Sequence, residues 1–149
     1  MSRETSLLTP AASARESFEQ LTAFAAEFRG ENFRLTSESE YAEVLQSILD
    51  HKYLTNEHIP FEIRMDQALF SWYENLYHPL MRAIDETGLQ LAFPDATRGQ
   101  LFLWVSRHWH FLKLERGREV SFEQAALSYG ARFGSGVLRL WNRMRLAAA

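Results

Sequence analysis

Two histidines and two glutamates recur along the chain at one fixed offset. His51 is followed by Glu62, and 57 residues later His108 is followed by Glu119 at the same interval. Imidazole nitrogens and carboxylate oxygens are metal and anion ligands, so two of each drawn together could hold a ligand or an ion. The simpler chemistry is structural. Each imidazole would hydrogen-bond its own loop, and each acid would sit beside the positive end of the helix that follows it. His51, Glu62, His108 and Glu119 are therefore one candidate ligand site, with no metal assigned. His108 and His110 are two apart and diverge on a helix, where paired ligands need spacings of three or four. The Glu-x-x-His pattern of carboxylate-bridged bundles is absent, and so are the G-x-S-x-G, P-loop and dinucleotide fingerprints. The chain has no cysteine, which excludes disulfides, thiolate catalysis and cysteine-based zinc sites. No catalytic residue and no cofactor are assigned, and the expectation is a protein that is not an enzyme.

Helices must position these residues. Thr9-Pro10 predicts a helix start, and Phe18, Leu21, Phe24, Ala25 and Phe28 mark its apolar face up to Gly30. Ser37 and Glu40 make a capping box before Tyr41, Val44, Ile48 and His51 at helical spacing. A third helix starts near Arg64 with the stripe Met65, Ala68, Leu69, Trp72 and Leu76. Pro79 is expected to kink or break it before Leu80, Ala83 and Ile84 carry the stripe on to Gly88. Pro94-Asp95 is expected to open a fourth helix through Leu101 to Leu112. Ser121 and Gln124 cap a fifth, interrupted by Gly130, Gly134 and Gly136. A last amphipathic helix carries Val137, Leu140, Trp141 and Met144. No strand is expected.

At the offset of 57, six of the 34 positions from His51 to Ile84 are identical without a gap, Ser71/Ser128 among them. The breakers align too, Pro60 with Gly117 and Pro79 with Gly136. A helical hairpin with one apolar face cannot bury it alone, whereas two packed together can. The expected fold is all-α: a five- to six-helix bundle from a tandem pair of helical hairpins with pseudo-twofold symmetry, plus an N-terminal helix. One domain is expected over residues 1–149, with the N-terminal helix at 9–30 and hairpins at 37–88 and 94–149.

Both hairpins resemble a bacterial module of unknown function, marked by His-Lys-Trp-Tyr-Leu-Ser-Glu, then Ala-Gly-Arg-Asp-Val, then a helix with an Ala and a Tyr. The first reads HKYLTNEHIPFEI then DQALFSWYENLYHPL, and the second reads HWHFLKLERGREV then EQAALSYGARF. The first keeps Lys52 and Glu57 but has Pro60 where the pattern has Gly. The second keeps Gly117-Arg118 but has Leu114 where the pattern has Glu. The resemblance covers roughly residues 44–141. The module often follows a kinase-like domain. None is read in this chain, so the resemblance implies the helical fold and no chemistry.

Charge divides the chain. Residues 1–97 carry 7 Lys/Arg against 16 Asp/Glu, and residues 98–149 carry 9 against 3. Either the two parts attract each other, or the basic part draws an anionic partner. A loose helix-turn-helix likeness over 121–145, with Ala126 and Gly130 four apart, would put Arg132, Arg139, Arg143 and Arg145 on phosphates. The helix around Phe102, Trp104 and Trp109 is apolar nearly all round, so it is either central or it meets a partner. With no signal peptide and no apolar run long enough for a membrane span, a bacterial cytoplasmic protein is expected. The leading functional expectation is a non-enzymatic interaction or regulatory module that binds a protein partner or self-associates. A DNA-binding regulator is the alternative, and a ligand or metal sensor at the paired histidines is the second alternative.

Overall fold

The structure, a computed structural model, describes residues 13–23 and 33–134. Its elements are α1 (Ala14–Thr22), α2 (Glu38–Glu57), α3 (Met65–Trp72), a π-turn (Tyr73–Tyr77), α4 (His78–Glu86), the short α5 (Leu89–Ala92), α6 (Arg98–Arg116) and α7 (Phe122–Phe133). The architecture is all-α, with no strand among the described residues. The antiparallel pairs α2–α3 and α6–α7 are the two expected hairpins. Helices α1 and α4 pack across them.

The caps explain where the helices start. Ser37 Oγ accepts from the Glu40 amide at 3.3 Å, and Glu40 Oε1 accepts from the Ser37 amide at 3.2 Å. Ser121 and Gln124 repeat this exchange at 3.1 and 3.3 Å. Each exchange satisfies two amide donors that the first turn leaves without partners. Four expected boundaries need correction. Ser13, not Thr9, caps the described α1 through the Glu16 amide; Thr9-Pro10, Phe24, Ala25, Phe28 and Gly30 lie outside the described residues. Pro94-Asp95 falls in the turn before α6, whose N-cap is Thr97. Thr97 wins because its hydroxyl both caps Gln100 at 3.1 Å and donates to the Arg34 carbonyl at 2.5 Å. Gly130 is an interior residue of α7, and the helix stops only at Gly134. Gly136 and the last amphipathic stretch lie outside the described residues.

The fourth correction concerns Pro79. It does not break the helix; the chain stays helical from Met65 to Glu86. Proline lacks an N–H and crowds the carbonyl four residues back. The turn just before it widens instead, so that the His78 amide bonds the Tyr73 carbonyl five residues back. One surplus residue is absorbed there, and the buried face steps from Trp72 to Tyr77, leaving the expected Leu76 half-buried.

The core confirms the repeat position by position. Val44 and Leu101, Ile48 and Val105, and Ala68 and Ala125 are equivalent pairs, all with no exposed surface. Helix α6 is the centre of the bundle. Phe102 meets Trp72 edge-on at 5.4 Å and Tyr77 at 5.2 Å. Fully burying one such ring stabilises by roughly 2–3 kcal/mol. Segment 33–35 lies against the start of α6 so closely that a Cβ at Gly99 would strike the Arg34 carbonyl and come within 2.8 Å of Leu35 Cδ2. The opposed charges of the two parts meet within the chain. Arg107 forks onto Glu43 at 2.6 and 2.5 Å, and Arg98 onto Asp85 at 2.9 and 3.1 Å.

Candidate functional site

The duplicated histidines are two separate struts. His51 Nε2 lies 2.7 Å from Ser71 Oγ, and His108 Nε2 lies 2.8 Å from Ser128 Oγ. Both bonds span 20 residues and tie the first helix of a hairpin to the second. The bond goes to the facing helix rather than to the histidine's own loop. The Ser71/Ser128 identity visible in the sequence was its signal. Burial pushes His108 down to about 4, helped by the nearby Arg132 and Arg116, and burial also lowers His51. The acids stand elsewhere. Glu62 is exposed and takes a 2.9 Å bond from Lys52, and the Glu119 side chain is exposed to solvent. The structure therefore does not gather His51, Glu62, His108 and Glu119. Among the described residues no group of three or more His, Cys, Asp or Glu is placed to hold a metal.

The aromatic candidates on α6 face inward. Phe102 has no exposed surface and offers nothing to a partner, because the hairpins close around it. Trp104 packs between Phe93 at 6.0 Å and Tyr129 at 6.4 Å. Trp109 donates to the Val120 carbonyl at 2.6 Å and lies on Phe122 at 4.9 Å. Of the basic candidates, Arg132 lies over the Phe111 ring, 3.8 Å from Glu115. Arg139, Arg143 and Arg145 lie outside the described residues. Ala126 and Gly130 share one continuous helix, so the chain does not turn where a tight helix-turn-helix would.

The feature that single positions did not reveal is a groove between α2 and α6. These are the equivalent first helices of the two hairpins. Glu40 faces Gln100, Glu43 faces Arg107, and Asp50 approaches His110, so the helices run in the same direction. The groove has a volume of about 650 Å³. Its walls include Leu54 from α2, Leu76 from the π-turn, Leu103 and Trp109 from α6, and Phe122 from α7. The Glu43–Arg107 pair lies at one end, and Leu54 and Lys113 at the other.

Three polar groups of α6 face this space at helical spacings of four and three: Ser106, His110 and Lys113. Ser106 is 8% exposed, yet its hydroxyl has no hydrogen-bond partner among the described residues. The Lys113 ammonium has no ion pair among the described residues and sits 3.5 Å above the Trp109 ring. His110 is held below its usual range by burial and by Lys113, with Asp50 opposing. Asp50 itself accepts from Gln46 at 2.8 Å. The sequence signal was present: Ser106, His110 and Lys113 fall on one stripe of α6 at spacings of four and three. It pointed at no ligand until the opposite wall was known.

The chain matches no protein-family model, no curated protein and no solved structure.

Proposed function

We propose that the protein is a non-enzymatic helical binding module whose recognition site is the groove between α2 and α6. The groove itself carries this reading. Small-molecule sites in helical bundles are concave, largely apolar, of about 300–1,000 Å³, and furnished with a few polar groups. The α2–α6 groove has that size and that make-up. The rest of the fold holds it rigidly, since the Glu43–Arg107 pair, the two His–Ser struts and the core below fix both walls. A module of this kind acts by changing what its surface offers when the groove fills.

A neutral apolar fluorophore, N-phenyl-1-naphthylamine, tests the reading. It should bind saturably at one site and quench Trp109, which lies in the wall. Leu54 at the lip is 54% exposed, so Leu54→Glu should leave the helical circular-dichroism signal intact and weaken binding about tenfold. Absence of saturable binding, or binding indifferent to Leu54→Glu, would remove the groove as the site.

A further inference from the structure

We propose that the groove between α2 and α6 takes a small amphiphilic monocarboxylate, with its apolar body along Leu54, Leu76 and Leu103 and its carboxylate received by Ser106, His110 and Lys113. The proposal rests on the groove being the binding site and adds the chemistry of what fills it.

Three hydrogen-bond donors occupy one face of α6 without an acceptor among the described residues. A buried hydroxyl with no partner costs about 1–3 kcal/mol, and native structures satisfy nearly all such groups. Ser106 is more than nine-tenths buried and lines the groove, so its hydroxyl is placed to donate to whatever enters the groove, water or ligand. Lys113 and His110 are close enough for each to feel the other's charge. An ammonium beside an imidazole, with no ion pair among the described residues, is a place for an anion. A neutral imidazole still donates through one N–H, so the pair supplies donors at neutral pH. A carboxylate has the lone pairs to accept from all three groups. The remaining walls are apolar, which fixes the rest of the ligand.

Asp50 sets the limit on charge. It lines the same groove, accepts from Gln46 at 2.8 Å and acts on His110. A ligand with one negative charge can lie against Lys113 and away from Asp50. A second negative charge in the groove meets Asp50. The site therefore takes monoacids over diacids. The first hairpin lacks the donor set. Its counterparts of Ser106, His110 and Lys113 are Leu49, Tyr53 and Asn56, and the Asn56 amide oxygen is used to hold the Ile63 amide at 2.9 Å.

Displacement of the bound neutral fluorophore by dodecyl compounds is the test, run on the full chain at pH 7 with all compounds monomeric. Dodecanoate should displace it at a concentration at least tenfold lower than dodecanol, dodecyltrimethylammonium or dodecanedioate, the scale of a charge-assisted hydrogen bond. Lys113→Gln should erase the advantage of dodecanoate over dodecanol, both read as displacement of the fluorophore from that same variant. Ser106→Ala should weaken dodecanoate severalfold while raising the urea midpoint of the empty protein, because it deletes an unpartnered buried hydroxyl. Equal displacement by dodecanoate and dodecanol, a preference for the cation or the diacid, or a preference that survives Lys113→Gln overturns the carboxylate assignment and leaves the groove standing. Failure of the fluorophore to bind overturns both.

Discussion

Where the first hairpin has Ser47 accepting from the Trp72 indole at 3.0 Å, the second has Trp104 stacked against Tyr129 at 6.4 Å. The two contacts are equivalent, each pair 25 residues apart and each joining the first helix to the second. At the hairpin ends, Asn56 receives the Ile63 amide in the first copy, while Trp109 donates to the Val120 carbonyl in the second. Among the described residues the His–Ser bond is kept with the same atoms in both, as is the capping bond from the Arg64 and Ser121 amides to Gln67 and Gln124 Oε1. What the copies share is thus the set of places where two helices must touch. What differs is whether an apolar or a polar contact does the touching. The second copy fills more of its contacts with aromatic rings, though Trp104, Trp109 and Tyr129 stay half-buried where Trp72 of the first copy is fully buried. It carries the free donors on the groove, while the first copy supplies mainly the lip and an acidic wall.

The sharpest way to break this comparison is to remove the contact at the unlike position. Trp104→Ala deletes a half-buried ring and should cost about 2–4 kcal/mol, whereas Ser47→Ala leaves the buried Trp72 N–H without an acceptor and should cost about 1–2 kcal/mol. Urea midpoints at unchanged m-value read both. Equal costs would mean that the aromatic contact adds nothing beyond the hydrogen bond it replaces.

The like position gives the next effect. Ser128→Ala strands a buried imidazole nitrogen and should cost about 1–3 kcal/mol, while Ser71→Ala, where water can reach the half-buried His51, should cost less than about 1 kcal/mol. A larger loss in the first hairpin would show that the two struts are not ranked by burial.

The smallest effect is pH dependence. His108 lies at about 4 when folded, below the ordinary 6.5. Between those values the unfolded chain binds a proton that the folded chain does not, so stability is complete above pH 6.5 and falls as the pH drops toward 4. By pH 5.5 the loss should be about 1–2 kcal/mol, and His108→Gln should flatten it. A urea midpoint of the parent protein that rises on acidification from pH 6.5 would contradict the neutral, buried imidazole.

Much of this fold was legible because local signals agreed with one another. Ser37/Glu40 and Ser121/Gln124 marked helix starts that the structure keeps, and Gly117 marked the end of α6, where it adopts φ 62°. The repeat was legible because His51, Glu62, Gln67, Ala68 and Ser71, with the breaker Pro60, had counterparts at one unbroken offset. Pro94 misled because proline opens turns as readily as helices, and Thr97 was chosen by a contact with Arg34, 63 residues away. The histidines were found but misassigned. Each bonds a serine on another helix, and distance along the chain hides that partner. The groove was illegible for a further reason. Its two walls come from different copies, and neither wall is concave alone.

The widened turn at Tyr73–Tyr77 has a consequence for that groove. In an uninterrupted helix, positions 72, 76, 80 and 84 would share one inward face. With one residue too many in the turn, Tyr77 takes the inward place, and Leu76 and Asn75 are left at the edge of the cavity instead. The third wall of the groove is thus a by-product of a single additional residue, since without it Leu76 would vanish into the core. An ancestral insertion or deletion of one codon before Pro79 would be enough to open or to close this side of the site, with every other helix left as it was.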